Sequence, residues 1–130
     1  MQREYTAIVK QDGEWWIGWI EEVPSVNCQE RSRDELIETL RLTLREALDF
    51  NRDEARSADR LFRNQDRDMK RKKLLQHLRS QGCEQLRQGS RHSWWHNPAL
   101  NKRSAIPRHT EISDMLAMKI CKDLGVDPPA

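Results

Sequence analysis

The sequence predicts an α+β protein of two small domains, in the order strand-strand-strand-helix and then helix-strand-strand-strand-helix. Short segments rich in β-branched and aromatic residues are followed by apolar residues at helical spacing. The chain has 130 residues, 36% hydrophobic and 34% charged, which predicts small cores. The charge also divides: residues 1–68 carry 11 Lys and Arg against 16 Asp and Glu (net −5), and residues 69–130 carry 12 against 5 (net +7).

The first domain is predicted to cover residues 1–50 and to begin with strands. Asp12-Gly13 is a turn pair that favours a hairpin, and Pro24-Ser25 is predicted to end the second strand. The three predicted strands are residues 4–10, 14–23 and 26–30.

Alternation along the second strand gives it two apolar faces. Trp15, Ile17 and Trp19 share one face, and Trp16, Gly18 and Ile20 share the other. The three tryptophans therefore cannot all be buried on one face of the sheet, and an exposed one would suit an interface.

A helix closes the first domain. Ser32 with Glu35 three residues later forms a capping-box pattern. Apolar residues then recur at helical spacing, namely Leu36, Ile37, Leu40, Leu44, Ala47 and Leu48. The charged segment 51–68 is predicted to be a linker or a helical extension. As a flexible chain it would span roughly 23 Å, enough for the two domains to dock in cis or to exchange between chains.

The second domain is predicted over residues 69–130. A helix at residues 70–80 ends near Gly82, and a last helix begins at Ser113 and ends at Gly125. Three short strands lie between the helices, at residues 83–88, 92–96 and 103–106.

Several functional classes are not expected from this sequence. It has no apolar run of about 18 residues and no signal-peptide pattern, which predicts a cytoplasmic protein without a membrane span. Cys28, Cys83 and Cys121 show no CxxC spacing, so neither a disulfide framework nor a structural zinc site is expected. Motifs of nucleotide, metal or serine hydrolases do not occur, and no cofactor or metal is expected.

Two long segments resemble the two components of a bacterial toxin–antitoxin pair. YTAIVKQDGEWWIGWIEEVPSV followed by SRDELIETLRLTLREAL resembles the HicB antitoxin family. KKLLQHLRSQGCEQLRQGSRHSWWHNP, SAIPRHTEI and DMLAMKICKDLG together resemble the HicA toxin family. The resemblance implies a truncated RNase-H-like antitoxin domain joined to a toxin domain with a fold like double-stranded-RNA-binding domains. It further implies that the toxin domain cleaves mRNA and that the family's catalytic histidine falls on His92.

The residue types around His92 suit metal-independent RNA cleavage. RNA supplies its own 2′-hydroxyl nucleophile, and a histidine can exchange the proton at neutral pH. His109 and His96 are candidates for the second acid or base. Four cations are predicted to hold the phosphate, namely Arg91, Lys102, Arg103 and Arg108. Trp94 and Trp95 face opposite ways, so that one can lie in the core while the other stacks on a base, but the core is the expected place for either.

The resulting prediction is a fused toxin–antitoxin protein whose endoribonuclease is latent. The acidic domain is expected to cover the basic one, through carboxylates that include Glu21, Glu22, Glu30, Asp34 and Glu38. The alternative is an RNA-binding or interaction module without catalysis. The predicted partners are mRNA and a second copy of the chain in a dimer. DNA binding is not expected, because no helix-turn-helix pattern follows the first helix.

Overall fold

A computed structural model of the chain describes residues 4–53 and 69–129. This part contains two antiparallel three-stranded sheets, each with strands in sequence order, and three helices. The elements are β1 (Ala7–Asp12), β2 (Trp15–Ile20), β3 (Val23–Glu30), α1 (Arg33–Asp53), α2 (Met69–Ser80), β4 (Glu84–Gln88), β5 (His92–Asn97), β6 (Lys102–Pro107) and α3 (Asp114–Leu124). None of these helices is long and apolar enough to cross a membrane. The α+β class and the predicted element order are confirmed.

The first sheet begins with the predicted hairpin, but β1 ends two residues later than predicted and the turn lies one residue later. β1 continues to Asp12, which pairs with Trp15, so the tight turn is formed by the two residues between them. Gly13 lies in that turn with φ +63°, a conformation that glycine adopts without strain.

The prediction that Pro24 and Ser25 end the second strand and precede the third is wrong. Both residues lie in β3, which begins at Val23. The pairing of β2 with β3 changes register between Gly18 and Ile20. A proline that lacks an N–H is tolerated beside such an irregularity, where a regular ladder hydrogen bond is not required.

Helix α1 starts at the predicted cap and packs on the first sheet. The Glu35 N–H donates to Ser32 Oγ at 3.2 Å, and the Ser32 hydroxyl donates to the Glu35 carboxylate at 3.0 Å. Leu36 and Leu40 are buried against the sheet. The helix runs to Asp53, three residues into the predicted linker, and residues 54–68 lie outside the described part of the chain.

The second half has its own core, formed where α2 and α3 pack on one face of the second sheet. The core includes Leu75, Trp95 and Leu116. Ser113 Oγ accepts the Leu116 N–H at the start of α3, and Gly125 ends that helix with φ +75°. Both predicted helix caps are therefore confirmed.

The two halves are packed together. Ile17, on the β2 face that turns away from α1, is fully buried in the core of the second half. At the edge of the first sheet, Asn27 of β3 donates to Ser104 Oγ of β6 at 2.9 Å. Gln29 bonds the Glu111 carbonyl and the Ser113 N–H, both at 2.7 Å. The contact thus combines apolar burial with bonded polar side chains.

Candidate active site under helix α1

His92 is the first residue of β5 and lies beneath α1. Its exposed fraction is 1%, and its Nδ1 lies 3.1 Å from Thr43 Oγ1 on the helix. The Thr43 hydroxyl donates its only hydrogen to the Thr39 carbonyl at 2.7 Å. We therefore assign the hydrogen between the ring and the hydroxyl to Nδ1, which leaves Nε2 unprotonated in the neutral ring.

Burial keeps this imidazole neutral at physiological pH. Removal from water lowers the pKa of His92 to about 4. The negative charges of Glu46 and Glu30 act in the opposite direction, whereas Arg108 and His109 lower the pKa further. A neutral ring whose Nε2 is unprotonated is the form that accepts a proton.

The turn before His92 is held by Arg108. The guanidinium donates to the carbonyls of Gly89 (3.2 Å), Ser90 (2.7 Å) and His92 (3.1 Å), and to the side chain of Gln88 (2.5 Å). Arg108 was predicted to bind phosphate, and in this structure these donors are directed at the turn. It therefore fixes the position of the catalytic candidate.

Glu46 of α1 contacts the same turn from above. Its carboxylate accepts from the Ser90 N–H at 2.8 Å, from Ser90 Oγ at 2.5 Å and from Trp94 Nε1 at 3.2 Å. Burial alone would raise the pKa of Glu46, but these hydrogen bonds and the nearby His92 outweigh it and lower the pKa. The carboxylate is therefore ionised when it contacts the turn.

A second series of hydrogen bonds lies beside the one that links His92, Thr43 and Thr39. Arg91 donates to Thr39 Oγ1 at 2.7 Å, and the Thr39 hydroxyl donates to Glu30 at 2.7 Å. His109 Nε2 lies 3.6 Å from the Glu30 carboxylate and 2.7 Å from the Gln29 carbonyl. An open cavity of about 410 Å³ lies beside these hydrogen-bonded side chains. It is lined by Glu30, Glu35, Ser90, Arg91, Arg108 and His109.

Three other predicted site residues lie at the far end of the sheet. Lys102 pairs with Asn97, whereas His92 pairs with Pro107. Five residues of strand separate these ends, roughly 17 Å at the usual rise per residue. His96 and Arg103 pair with each other near that far end, and His96 Nε2 lies 3.3 Å from the Glu84 carboxylate. The structure therefore brings Arg91, Arg108 and His109 to His92, but not His96, Lys102 or Arg103.

Both tryptophans of β5 are fully buried, as expected for either of them, and neither is available for stacking on RNA in this structure. Trp95 lies in the core under α2 and α3, and Trp94 packs against Ala47 of α1. The reason is that helices cover both faces of β5. Separation of α1 from the sheet would expose Trp94 together with His92.

The contacts from α1 were missed by sequence reasoning. Thr39, Thr43 and Glu46 follow the spacing of one helical stripe, beside the apolar stripe that packs on the first sheet. That spacing was the available signal. Arg71, whose charge suggested a phosphate contact, is instead buried: it donates to the Pro107 carbonyl at 2.7 Å, and burial lowers its pKa to about 10. Among the described residues, no cluster of His, Cys, Asp and Glu is placed to hold a metal ion.

The fold and the site together describe a protein of two units. One is a basic α-β-β-β-α unit that contains the histidine site, and the other is an acidic β-β-β-α unit whose helix covers that site. Residues 71–126 match the family model described as HicA toxin of bacterial toxin–antitoxin. This part of the chain is therefore a HicA toxin family domain, and it contains His92. The arrangement of its elements fits the fold of double-stranded-RNA-binding domains. No HicB antitoxin match is found at the N-terminus. Curated proteins and solved structures give no match to the chain.

Proposed function

We propose that this protein is a latent metal-independent endoribonuclease of the toxin type, held inactive by its own N-terminal half acting as antitoxin. The observation on which the proposal depends is that helix α1 buries His92. The candidate base is 1% exposed, and the helix above it belongs to the half with the opposite charge. The HicB resemblance of that half supports the same role.

The chemistry requires a neutral imidazole, the form that prevails for an ordinary histidine at neutral pH once α1 has moved away. A ring nitrogen of the neutral His92 accepts the proton of the RNA 2′-hydroxyl, whose oxygen then attacks the adjacent phosphorus. The bond from phosphorus to the 5′-oxygen breaks, and that oxygen takes a proton from an acid. We assign the acid to His109, because it lines the same open cavity as Arg91 whereas His96 lies at the far end of β5. The expected products are a 2′,3′-cyclic phosphate and a 5′-hydroxyl.

Inhibition is proposed to be steric and electrostatic together. Thr43 and Glu46 bond the groups that an RNA backbone would need to reach, and Glu46 places a negative charge beside them. RNA therefore meets both a barrier and a repulsion until α1 moves away.

The test is a substitution that lifts α1 from β5 in the full chain. Thr43→Arg places a long cationic side chain at a position that is 1% exposed and in contact with His92. We expect this variant to cleave RNA in the presence of EDTA, whereas the unsubstituted chain does not. Adding His92→Ala should abolish the cleavage.

The matched control is Leu48→Arg, which adds the same charge at an exposed position of the same helix. It should remain inactive. Accessibility of His92 to diethylpyrocarbonate checks that Thr43→Arg has exposed the ring. Binding of RNA without cleavage by such an exposed variant would instead support the non-catalytic RNA-binding module, and cleavage that survives His92→Ala would refute the assigned base.

A further inference from the structure

In the contact between Glu46 and the turn before β5, all the hydrogen-bond donors come from the second half of the chain. Ser90 supplies its backbone N–H and its hydroxyl, and Trp94 supplies its indole N–H. All three belong to the toxin domain, and the carboxylate they surround belongs to the other half. We call the group formed by Gly89, Ser90 and Trp94 the donor cradle.

Gly89 shows that the cradle depends on an open space. A Cβ at this position would overlap Glu46 Oε1 and lie 3.0 Å from its Cδ and 3.1 Å from Trp94 Nε1. A side chain at residue 89 would therefore close the cradle to a carboxylate. Glycine lets an anion approach the backbone closely. The N–H that faces the anion here is that of Ser90, because the Gly89 N–H donates to the His92 carbonyl at 2.6 Å.

The position of the cradle links it to the reaction. His92 and Trp94 are two residues apart on β5, so their side chains lie on the same face of the strand. Arg91 and Arg108 line the same open cavity as Ser90 and add positive charge there. An anion held by the cradle would therefore lie beside the imidazole.

A carboxylate and a phosphodiester share the chemistry that this cradle recognises. Each presents two anionic oxygens that accept charge-assisted hydrogen bonds from N–H and O–H donors. We propose that the donor cradle is the binding site for an RNA backbone phosphate, and that Glu46 occupies it as a phosphate mimic. This inference rests on the proposed ribonuclease function and assigns a residue to the inhibition.

The proposal makes Glu46 a direct competitor of the ligand. Removing the carboxylate should open the cradle to phosphate even while α1 stays in place, because Ser90 is exposed at its edge. Replacing the carboxylate by an amide should give a smaller effect, since the amide still fills the space but carries no charge.

The experiment compares full chains that carry Glu46→Ala, Glu46→Gln, and Glu46→Ala with Gly89→Ala. The probes are inorganic phosphate and a fluorescent 2′-O-methyl oligoribonucleotide, which has no free 2′-hydroxyl and cannot be cleaved. Binding is followed by anisotropy and by the NMR signal of the Trp94 indole N–H. We expect Glu46→Ala to bind both probes about tenfold more tightly than the unsubstituted chain, as the loss of a competing charge-assisted contact predicts.

The double variant has the same charge as Glu46→Ala but a methyl group in the cradle, so its affinity should return to that of the unsubstituted chain. Asp49→Ala removes an equal charge from an exposed position of α1 and should change nothing. Equal tightening by Asp49→Ala, full affinity in the double variant, or a Trp94 indole signal that phosphate does not shift would each overturn the proposal.

The experiment includes a fallback variant and a probe that cannot be cleaved. If thermal melting shows that Glu46→Ala does not fold, the test uses Glu46→Gln instead. We then expect an intermediate gain in affinity for the probes. No gain in affinity would contradict the proposed role of the donor cradle. The probe is not a substrate, so binding is measured independently of catalysis. A working cradle in a chain whose exposed His92 does not cleave RNA would refute only the ribonuclease, whereas cleavage without phosphate binding here would refute only the cradle.

Discussion

The neutral, buried imidazole of His92 makes the stability of the folded chain depend on pH. In the folded chain its pKa is about 4, against 6.5 for an ordinary histidine, because burial penalises the charged ring. The unfolded chain therefore binds a proton in a range where the folded chain does not. A fall in pH through this range must favour unfolding.

The sign and the size follow from the two pKa values. The contribution is complete above pH 6.5 and is lost progressively as the pH falls toward 4. Its full size is about 3 kcal/mol, of which about 2 kcal/mol is lost between pH 7.5 and pH 5.0. The neighbouring carboxylates Glu30 and Glu46 have lowered pKa values, so their own contributions are lost only below their ordinary value of 4.5.

The assay is urea unfolding of the full chain at pH 7.5 and pH 5.0, with His92→Gln as the reference variant. Glutamine does not titrate, and the remaining histidines are common to both proteins. We expect the unsubstituted chain to lose about 2 kcal/mol more than the variant over this range. An equal loss in both proteins would show that His92 is not buried in its neutral form and would refute the assigned environment.

Three further predictions concern packing. Gly18→Ala should destabilise the chain by about 1–3 kcal/mol in urea unfolding, because the new Cβ would lie 2.7 Å from the Ile8 carbonyl oxygen; an unchanged midpoint would contradict the β1–β2 packing. Asn27→Ala should cost about 2 kcal/mol, because Asn27 is buried and bonds Ser104 between the halves; a loss below 0.5 kcal/mol would place that contact outside the folded core. The three cysteines are buried with raised pKa values, so a thiol reagent at pH 8 should label them only when denaturant is added; labelling at the rate of a free thiol would refute their burial.

The predicted elements were those with a local physical cause. The cap at Ser32 and the end of α3 at Gly125 depend on residues within one helical turn, and both are confirmed. Where a partner strand decides the outcome, the prediction fails. Pro24 is tolerated in β3 because of the irregular pairing with β2, which no local pattern contains.

The candidate site divides in the same way. Adjacency in the sequence placed His92 beside Arg91 and Arg108 beside His109. The separation of Lys102 from His92 depends on the length and register of β6. Net charge made Lys102 a reasonable phosphate ligand, but charge alone does not say at which end of a strand a residue lies.

By itself, the sequence determined the α+β class, the order of elements, the two charge-opposed halves and the histidine on which the proposed chemistry depends. The first three follow from composition, periodicity or a motif within a few residues, whereas the histidine follows from the resemblance to the HicA toxin family. Only the tertiary structure decided that α1 uses Thr43 and Glu46 to cover that histidine. The two residues bond groups 49 and 44 positions further along the chain. Contacts at such separations form only when the two halves pack, because neither their pairing nor their geometry is encoded in any local segment.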